Sequence, residues 1–302
     1  MSEAACDPSP RDNAPALSPA PEGLVLVSTP LGNLGDISAR ALAVLRAADL
    51  ILCEDTRVTA GLCRAFAIHR PLSPLHEHNE EARIPELLER LGRGERIALV
   101  SDAGTPLVSD PGYRLVRAAI AAGLPVAAIP GANAALLALT LSGLPPQPFL
   151  FLGFPPPRAT ARKRAFATLR SAEHAGLRAT LIWHEAPHRL AATLADLADV
   201  FGPRTAAVGR ELTKRFEEMR RGPLPALAAH YADHPARGEI TLVVAPAEDA
   251  PPSDAAALDT ILRAALAEGT LKAAVARASA LTGRPRGEVY ARALALQAED
   301  TA

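Results

Sequence analysis

Leu24-Val25-Leu26-Val27-Ser28-Thr29-Pro30-Leu31-Gly32-Asn33-Leu34-Gly35-Asp36 joins a short apolar run to a glycine-rich loop. Four consecutive apolar residues cut off by turn formers read as a buried strand. Ile37, Ala41, Val44, Leu45 and Ala48 then recur at helical spacing, with Asp36 the expected N-cap. The unit repeats downstream. Leu50 to Cys53 ends in Glu54-Asp55-Thr56-Arg57, and Ile97 to Val100 ends in Ser101-Asp102-Ala103-Gly104-Thr105-Pro106. Val126 to Ile129 ends in Pro130-Gly131-Ala132-Asn133-Ala134-Ala135. Helical stretches, from Pro85 to Leu91 and from Tyr113 to Ala122, lie between them. Such alternation implies an α/β fold with a parallel sheet.

Leu144-Pro145-Pro146-Gln147-Pro148 resists regular structure and reads as a hinge. Beyond it alternation resumes. Strands are expected at Phe149–Gly153, Ala179–Trp183, Thr205–Gly209 and Ile240–Ala245, with helices at Arg162–Arg170, Arg189–Val200 and Leu224–Tyr231. The expected organisation is a tail over 1–22, α/β domains over 23–144 and 148–246, a linker over 247–257 with Pro251-Pro252, and helices over 258–302. In that last segment Leu258, Ile261, Leu262 and Leu266 share a face, and Gly283 to Gly287 breaks the final helix pair in helix-turn-helix fashion.

Thirty-two Lys and Arg against thirty-three Asp and Glu leave a net charge of -1, which excludes a polycationic tail but permits a local basic face. No apolar run has the length of a membrane span. The five prolines of the first 22 residues do not form a secretory signal. Cys6, Cys53 and Cys63 are too few and odd in number for a disulfide scaffold; with no secretory signal, this favours a reducing cytoplasm. Cys53, at a strand end, reads as a small buried apolar residue.

In a parallel sheet the four loops after these strands share one edge, where ligands bind. No G-x-x-x-x-G-K-[ST] is present, and no G-x-G-x-x-G follows the first strand, so neither P-loop nor dinucleotide chemistry has support. Small side chains with few cations suit a neutral or cationic ligand containing adenosine.

Eight motifs occur in order: Thr29 to Leu34, Glu54 to Arg57, His76-Glu77-His78-Asn79-Glu80, Ser101 to Pro106, Ser109-Asp110-Pro111-Gly112-Tyr113, Glu185-Ala186-Pro187-His188-Arg189, Arg210-Glu211-Leu212-Thr213-Lys214 and Gly238-Glu239. Together they resemble the ribosomal RNA small-subunit methyltransferase I family, a branch of the tetrapyrrole methylase superfamily, over about residues 23–245. The resemblance implies two α/β domains of tetrapyrrole-methylase type with the cofactor cleft between them, plus a small C-terminal helical domain. It implies S-adenosyl-L-methionine as methyl donor, a cytidine ribose 2′-hydroxyl of 16S rRNA in the small ribosomal subunit as acceptor, and a homodimer. By motif position the cofactor contacts are Pro30, Asp102, Gly104, Thr105, Val108, Gly131, Ala132, Asn133 and Ala134, with His184 and Glu185 from the second domain. Two positions depart from the family pattern: Gly131-Ala132-Asn133-Ala134 replaces Gly-Pro-Ser-Ala, and His184 stands where an aromatic is usual.

A 2′-hydroxyl is a poor nucleophile at neutral pH, so a base would help. The candidate catalytic groups are Glu54, Asp55, Arg57, Glu211 and Lys214, with no single base identified; Asp102 and Glu185 are further carboxylates at expected cleft edges. Arg158, Arg162, Lys163 and Arg164 form a basic run that, with Arg210, could track RNA phosphates. Arg284 and Arg286 pose the same choice between RNA contact and ordinary surface charge. His76, Glu77 and His78 lack the further ligands of a zinc site, so no metal is expected. Two alternatives remain: a tetrapyrrole C-methyltransferase, or a non-catalytic ribosome-assembly factor that kept the fold.

Overall fold

The computed structural model describes residues 20–247, 255–282 and 284–299. The chain divides into two compact units, the first ending at Ala245 and the second beginning at Pro246. In the first unit β1 (Leu24–Val27), α1 (Ala39–Ala47), β2 (Leu50–Cys53), α2 (Thr56–Ala65), β3 (Leu72–Pro74), α3 (Glu80–Gly92), β4 (Ile97–Val100), α4 (Tyr113–Ala121) and β5 (Val126–Ile129) follow in order. Their strands make one parallel sheet, ordered β3-β2-β4-β1-β5. Alternate side chains feed opposite faces, as the period of a strand requires. Val25, Val27, Ile51, Cys53, Ala98 and Val100 pack with α1 and α2 residues, whereas Leu24, Leu50, Leu52, Ile97 and Leu99 pack with Leu87, Leu91, Leu115 and Ala119.

Then come α5 (Ala134–Ser142), β6 (Phe149–Phe151), α6 (Ala159–His174), β7 (Thr180–Glu185), α7 (Leu190–Phe201), β8 (Thr205–Arg210), β9 (Glu218–Pro223), α8 (Leu224–Asp233) and β10 (Ile240–Val244). The second sheet is ordered β6-β7-β10-β8-β9. It is mixed: only β6 and β7 are parallel, and the other pairs are antiparallel. The resumed alternation conceals this, because β9 follows β8 with no helix between and is a polar edge strand, Glu218-Met219-Arg220-Arg221. An edge strand needs no apolar run to hold its ladder.

One helix joins the halves. α5 emerges from the first sheet but packs on the second, where Ala135, Ala138 and Leu139 meet Ile182, Ala207 and Val243. The opposite face of the second sheet is covered by Phe166, Leu194, Leu197, Leu224 and Leu227. The second unit holds α9 (Ala255–Glu268), α10 (Leu271–Thr282) and α11 (Arg286–Glu299). They close on Leu258, Leu262, Val275, Ala278, Val289, Ala293 and Leu296, and Arg292 pairs with Asp259 at 2.6 Å.

Several local expectations change. Ser38, not Asp36, caps α1, its hydroxyl accepting the Ala41 N–H at 3.1 Å. Asp36 instead ends a short 3-10 turn that Asn33 caps. α3 begins at Glu80, five residues before Pro85, and the buried Glu80 carboxylate accepts the Leu115 N–H at 2.9 Å. That bond satisfies an otherwise orphaned donor in the first turn of α4. Residues 1–19 of the expected tail, and 248–254 of the linker, lie outside the described residues, while Ala20 packs against the first core. Arg284 forms an ion pair with Glu288.

Candidate methyl-donor cleft

The four loops after β1, β2, β4 and β5 do converge on one edge of the first sheet, and they are tied to one another. Thr29 and Gly104 exchange backbone bonds, with Thr29 N–H donating at 2.8 Å and Gly104 N–H at 3.0 Å. The Thr29 hydroxyl donates to the Ser101 carbonyl at 3.0 Å. Thr105 Oγ1 donates to the Ala132 carbonyl at 3.0 Å and accepts from Asn133 Nδ2 at 3.3 Å. Asn133 Oδ1 accepts the Leu136 N–H at 3.1 Å, capping α5. Asp55 N–H donates to Asp102 Oδ1 at 3.0 Å, drawing the second loop to the third.

Between this edge and the second sheet lies a cavity of about 370 Å³. Leu31, Asp102, Val108, Asp110 and Ala134 line it from the first half, and Phe154, His184, Glu185, Leu212, Glu239 and Thr241 from the second. The volume falls in the range of small-molecule sites. Apolar walls with four carboxylates and no Lys or Arg among the lining residues suit a flat heteroaromatic ring joined to a cationic centre, and would repel a polyphosphate. S-adenosylmethionine, with its adenine and sulfonium, fits that donor set.

The expected cofactor residues separate into two groups. Asp102, Val108, Ala134, His184 and Glu185 border the cavity. Pro30, Gly104, Thr105, Gly131, Ala132 and Asn133 do not; the Thr105 hydroxyl and Asn133 amide are committed to holding the rim together. Asn133 therefore acts as a helix cap and loop tie, a role its residue type favours. Glu185 is a correction of another kind. Its side chain is fully buried, accepting from Ala186 N–H, Arg189 and the Thr193 hydroxyl, so its carboxylate is engaged by the protein's own groups. His184 is buried enough to hold its imidazole below the ordinary value, keeping it neutral at pH 7. Its Nδ1 lies 3.2 Å from Thr241 Oγ1, and its ring packs against Phe151 at 4.9 Å and Phe154 at 5.6 Å. The aromatic surface absent at position 184 is supplied next to it by Phe154, which is 54% exposed.

None of the candidate catalytic residues is a lining residue. Asp55 caps α2 and pairs with Arg57, whose guanidinium holds the carboxyl near 2. Arg57 is largely exposed. Glu211 accepts from Glu239 N–H at 3.0 Å and Lys214 Nζ at 2.9 Å, and both bonds lower its pKa. Burial works against the Lys214 charge, but Glu211 and Glu239 outweigh it and raise its pKa. The residue that motif reading passed over is Asp110. Burial, then the charge and hydrogen bond of Glu54, then the charge of Asp102, push its carboxyl up to about 7. Glu54, on the loop after β2, meets Asp102 and Asp110, both on the loop after β4, and only their spatial meeting reveals the shift.

The basic run also divides. Arg162 is 4% exposed and ion-paired with Asp196, so it cannot reach RNA. Lys163 pairs with Asp196 at 3.3 Å and Asp199 at 2.7 Å. Helical periodicity is the reason: Arg162 and Phe166, four residues apart on α6, turn inward together. Arg158 and Arg164 are exposed and make no ion pair among the described residues. Arg210 pairs with Glu218 at 3.1 Å. Cys53 is fully buried, and burial raises its thiol pKa. No helix among the described residues is long and apolar enough to cross a membrane.

Known proteins share this architecture and much of this sequence. A family model described as Tetrapyrrole (Corrin/Porphyrin) Methylases matches residues 23–228, and one described as the RsmI C-terminal HTH domain matches residues 252–297. Ribosomal RNA small subunit methyltransferase I of Mesorhizobium japonicum is 47% identical, the match covering 92% of this chain and 94% of that one. The protein of the same name from Pseudomonas aeruginosa is 44% identical over 91% and 97% of the two chains. Among solved structures, diphthine synthase superposes with a TM-score of 0.56 at 18% identity, covering 74% of this chain and 90% of that one. A Thermus thermophilus uroporphyrin-III C-methyltransferase complexed with S-adenyl homocysteine superposes with a TM-score of 0.51 at 19% identity, covering 74% and 97%. The chain thus belongs to the tetrapyrrole methylases, S-adenosylmethionine-dependent methyltransferases, and within them to the ribosomal RNA small subunit methyltransferase I family.

Proposed function

We propose that the chain methylates the ribose 2′-hydroxyl of a decoding-centre cytidine, cytidine 1402 of 16S rRNA, in the cytoplasm, with the small ribosomal subunit as substrate. The observation that carries this reading is an acidic, apolar-walled cavity at the converged loop edge, in a chain 47% identical to a named small-subunit rRNA methyltransferase. The homodimer is part of the same reading; exposed Tyr113 and Ile120, seven residues apart on one face of α4, support a self-contact.

When bound, S-adenosylmethionine supplies a methyl group already activated by its sulfonium. Asp102, Asp110 and Glu239 offer the negative field that favours such a cation. Phe154 and Val108 provide apolar surface for its ring. The rim bonds from Thr29, Thr105 and Asn133 hold those groups in place before the ligand arrives, so little ordering remains to oppose binding. Asp110, with a carboxyl near 7, is the group best suited to hold the proton leaving the 2′-hydroxyl. Glu54 stabilises the protonated form through their shared hydrogen bond.

The test compares acceptors. With tritiated S-adenosylmethionine, label is expected in small ribosomal subunits and not in a uroporphyrinogen-type macrocycle. Label in the macrocycle alone would reverse the assignment, and failure of the folded protein to bind the cofactor would favour a non-catalytic assembly role.

A further inference from the structure

A second, cationic pocket of about 360 Å³ lies beside the β8–β9 hairpin. Arg210 and Arg220 border it from the strands, His230 and Tyr231 from α8, and Arg237 from the segment leading into β10. Its one carboxylate, Glu218, is shared by Arg210 at 3.1 Å and Arg220 at 3.0 Å. Burial raises the Glu218 pKa, but those two guanidiniums prevail and keep it below the ordinary range, so it stays charged. Three arginines against one glutamate leave a positive excess, and Arg237 makes no ion pair among the described residues.

Tyr231 adds an independent sign. Its side chain is 4% exposed, yet its hydroxyl has no hydrogen-bond partner, although it borders this pocket. A buried hydroxyl left unpaired is destabilising, so a ligand oxygen that pairs with it is favoured there. The pocket is also connected. A groove bordered by Pro187, Tyr231, Arg237 and Gly238 shares Tyr231 and Arg237 with it, and shares Pro187 and Gly238 with the cofactor cavity. The groove thus lies between the methyl-donor cleft and the arginines and adjoins both.

We propose that this pocket binds a backbone phosphate of the RNA strand whose ribose enters the cleft, with Arg210, Arg220 and Arg237 facing the phosphate and the Tyr231 hydroxyl donating to one of its oxygens. This rests on the reading of the chain as an RNA 2′-O-methyltransferase. Arginine forks match phosphate geometry, and a fixed phosphate near the cleft would orient the target ribose without reading its sequence.

The experiment measures methyl transfer to small ribosomal subunits across a salt series for wild type, Arg220→Ala, Arg237→Ala and Tyr231→Phe, with cofactor affinity by calorimetry as the control. The expected result is a rise in subunit KM of about tenfold for each arginine variant and a smaller rise for Tyr231→Phe. The slope of log KM against log salt should shrink by about 0.7 for each lost phosphate contact, with cofactor Kd unchanged. Arg237 is exposed and Tyr231→Phe removes one atom, so these two variants keep the test independent of folding. Unchanged subunit KM and salt slope alongside an active wild type would overturn the pocket while leaving the methyltransferase reading intact. A wild type that binds cofactor but transfers nothing to subunits would overturn both.

Discussion

The Lys214 side chain lies directly over Gly32: a Cβ on that glycine would stand 2.6 Å from Lys214 Cγ and 2.7 Å from Cε. Gly32 belongs to the first loop of the first sheet and has φ +148, while Lys214 follows β8 of the second. The lysine ends on Glu211 and Glu239, closing one side of the cleft with an ion-paired strap. Replacing Gly32 by Ala forces both a strained backbone and a displaced lysine. Urea unfolding should show a loss of about 1–3 kcal/mol, and Lys214→Met, which keeps the stem, should lose less.

Gly238 makes a similar demand on the same strap. At φ +84, a Cβ there would fall 2.3 Å from Glu211 Oε1, which is itself bonded to Glu239 N–H. Gly238→Ala should weaken cofactor binding in calorimetry, because Gly238 and Glu239 both border the cavity.

Asp110 imposes a pH dependence with two separable signs. As a base it must be ionised, so kcat/KM should rise as pH passes through about 7, and Asp110→Asn should abolish that limb with a loss of about 10²–10⁴-fold. In stability the effect is opposite. The folded protein holds this proton up to about 7, whereas the ordinary value is 3.8, so folding binds protons in that window and stability falls as pH rises through it. Unfolding at pH 5 and pH 8 should show Asp110→Asn gaining on wild type at the higher pH. A pH-independent difference between the two proteins would remove Asp110 from the role.

Arg162 and Arg164 stand two residues apart and should respond oppositely to alanine. Arg162→Ala leaves the largely buried Asp196 with only Lys163, a change expected to cost about 3 kcal/mol. Arg164→Ala should stay within about 0.5 kcal/mol in stability. Any loss it causes should appear in subunit binding, as a smaller salt slope.

Ala134 sits at the start of α5 and borders the cavity. Ala134→Phe should fill the space and raise cofactor Kd by more than tenfold while thermal unfolding changes little. Normal affinity in that variant would move the cofactor away from this edge.

Local pattern was sufficient for four of the five strands of the first sheet, all but the short edge strand β3. Each of its central strands is a continuous apolar run closed by glycine, proline or aspartate, and four such runs separated by helices leave almost no topology but a parallel sheet. The motifs on the loops likewise identified the family, since a long ordered set of short motifs needs no coordinates to be matched. Polar edge strands such as β9 carry no comparable signal, which is why the mixed second sheet had to be seen.

What the amino-acid order determined, then, is the apolar strands, the loops that follow them and their family. What only the tertiary structure decided is which side chains are free to act. Arg162 and Glu185 are consumed by buried partners, Thr105 and Asn133 by the rim, and Asp110 acquires its proton affinity from burial and then from acids 56 and 8 residues away in sequence. Electrostatics and hydrogen bonding depend on distances of a few ångströms, and those distances are set by packing between residues far apart along the chain.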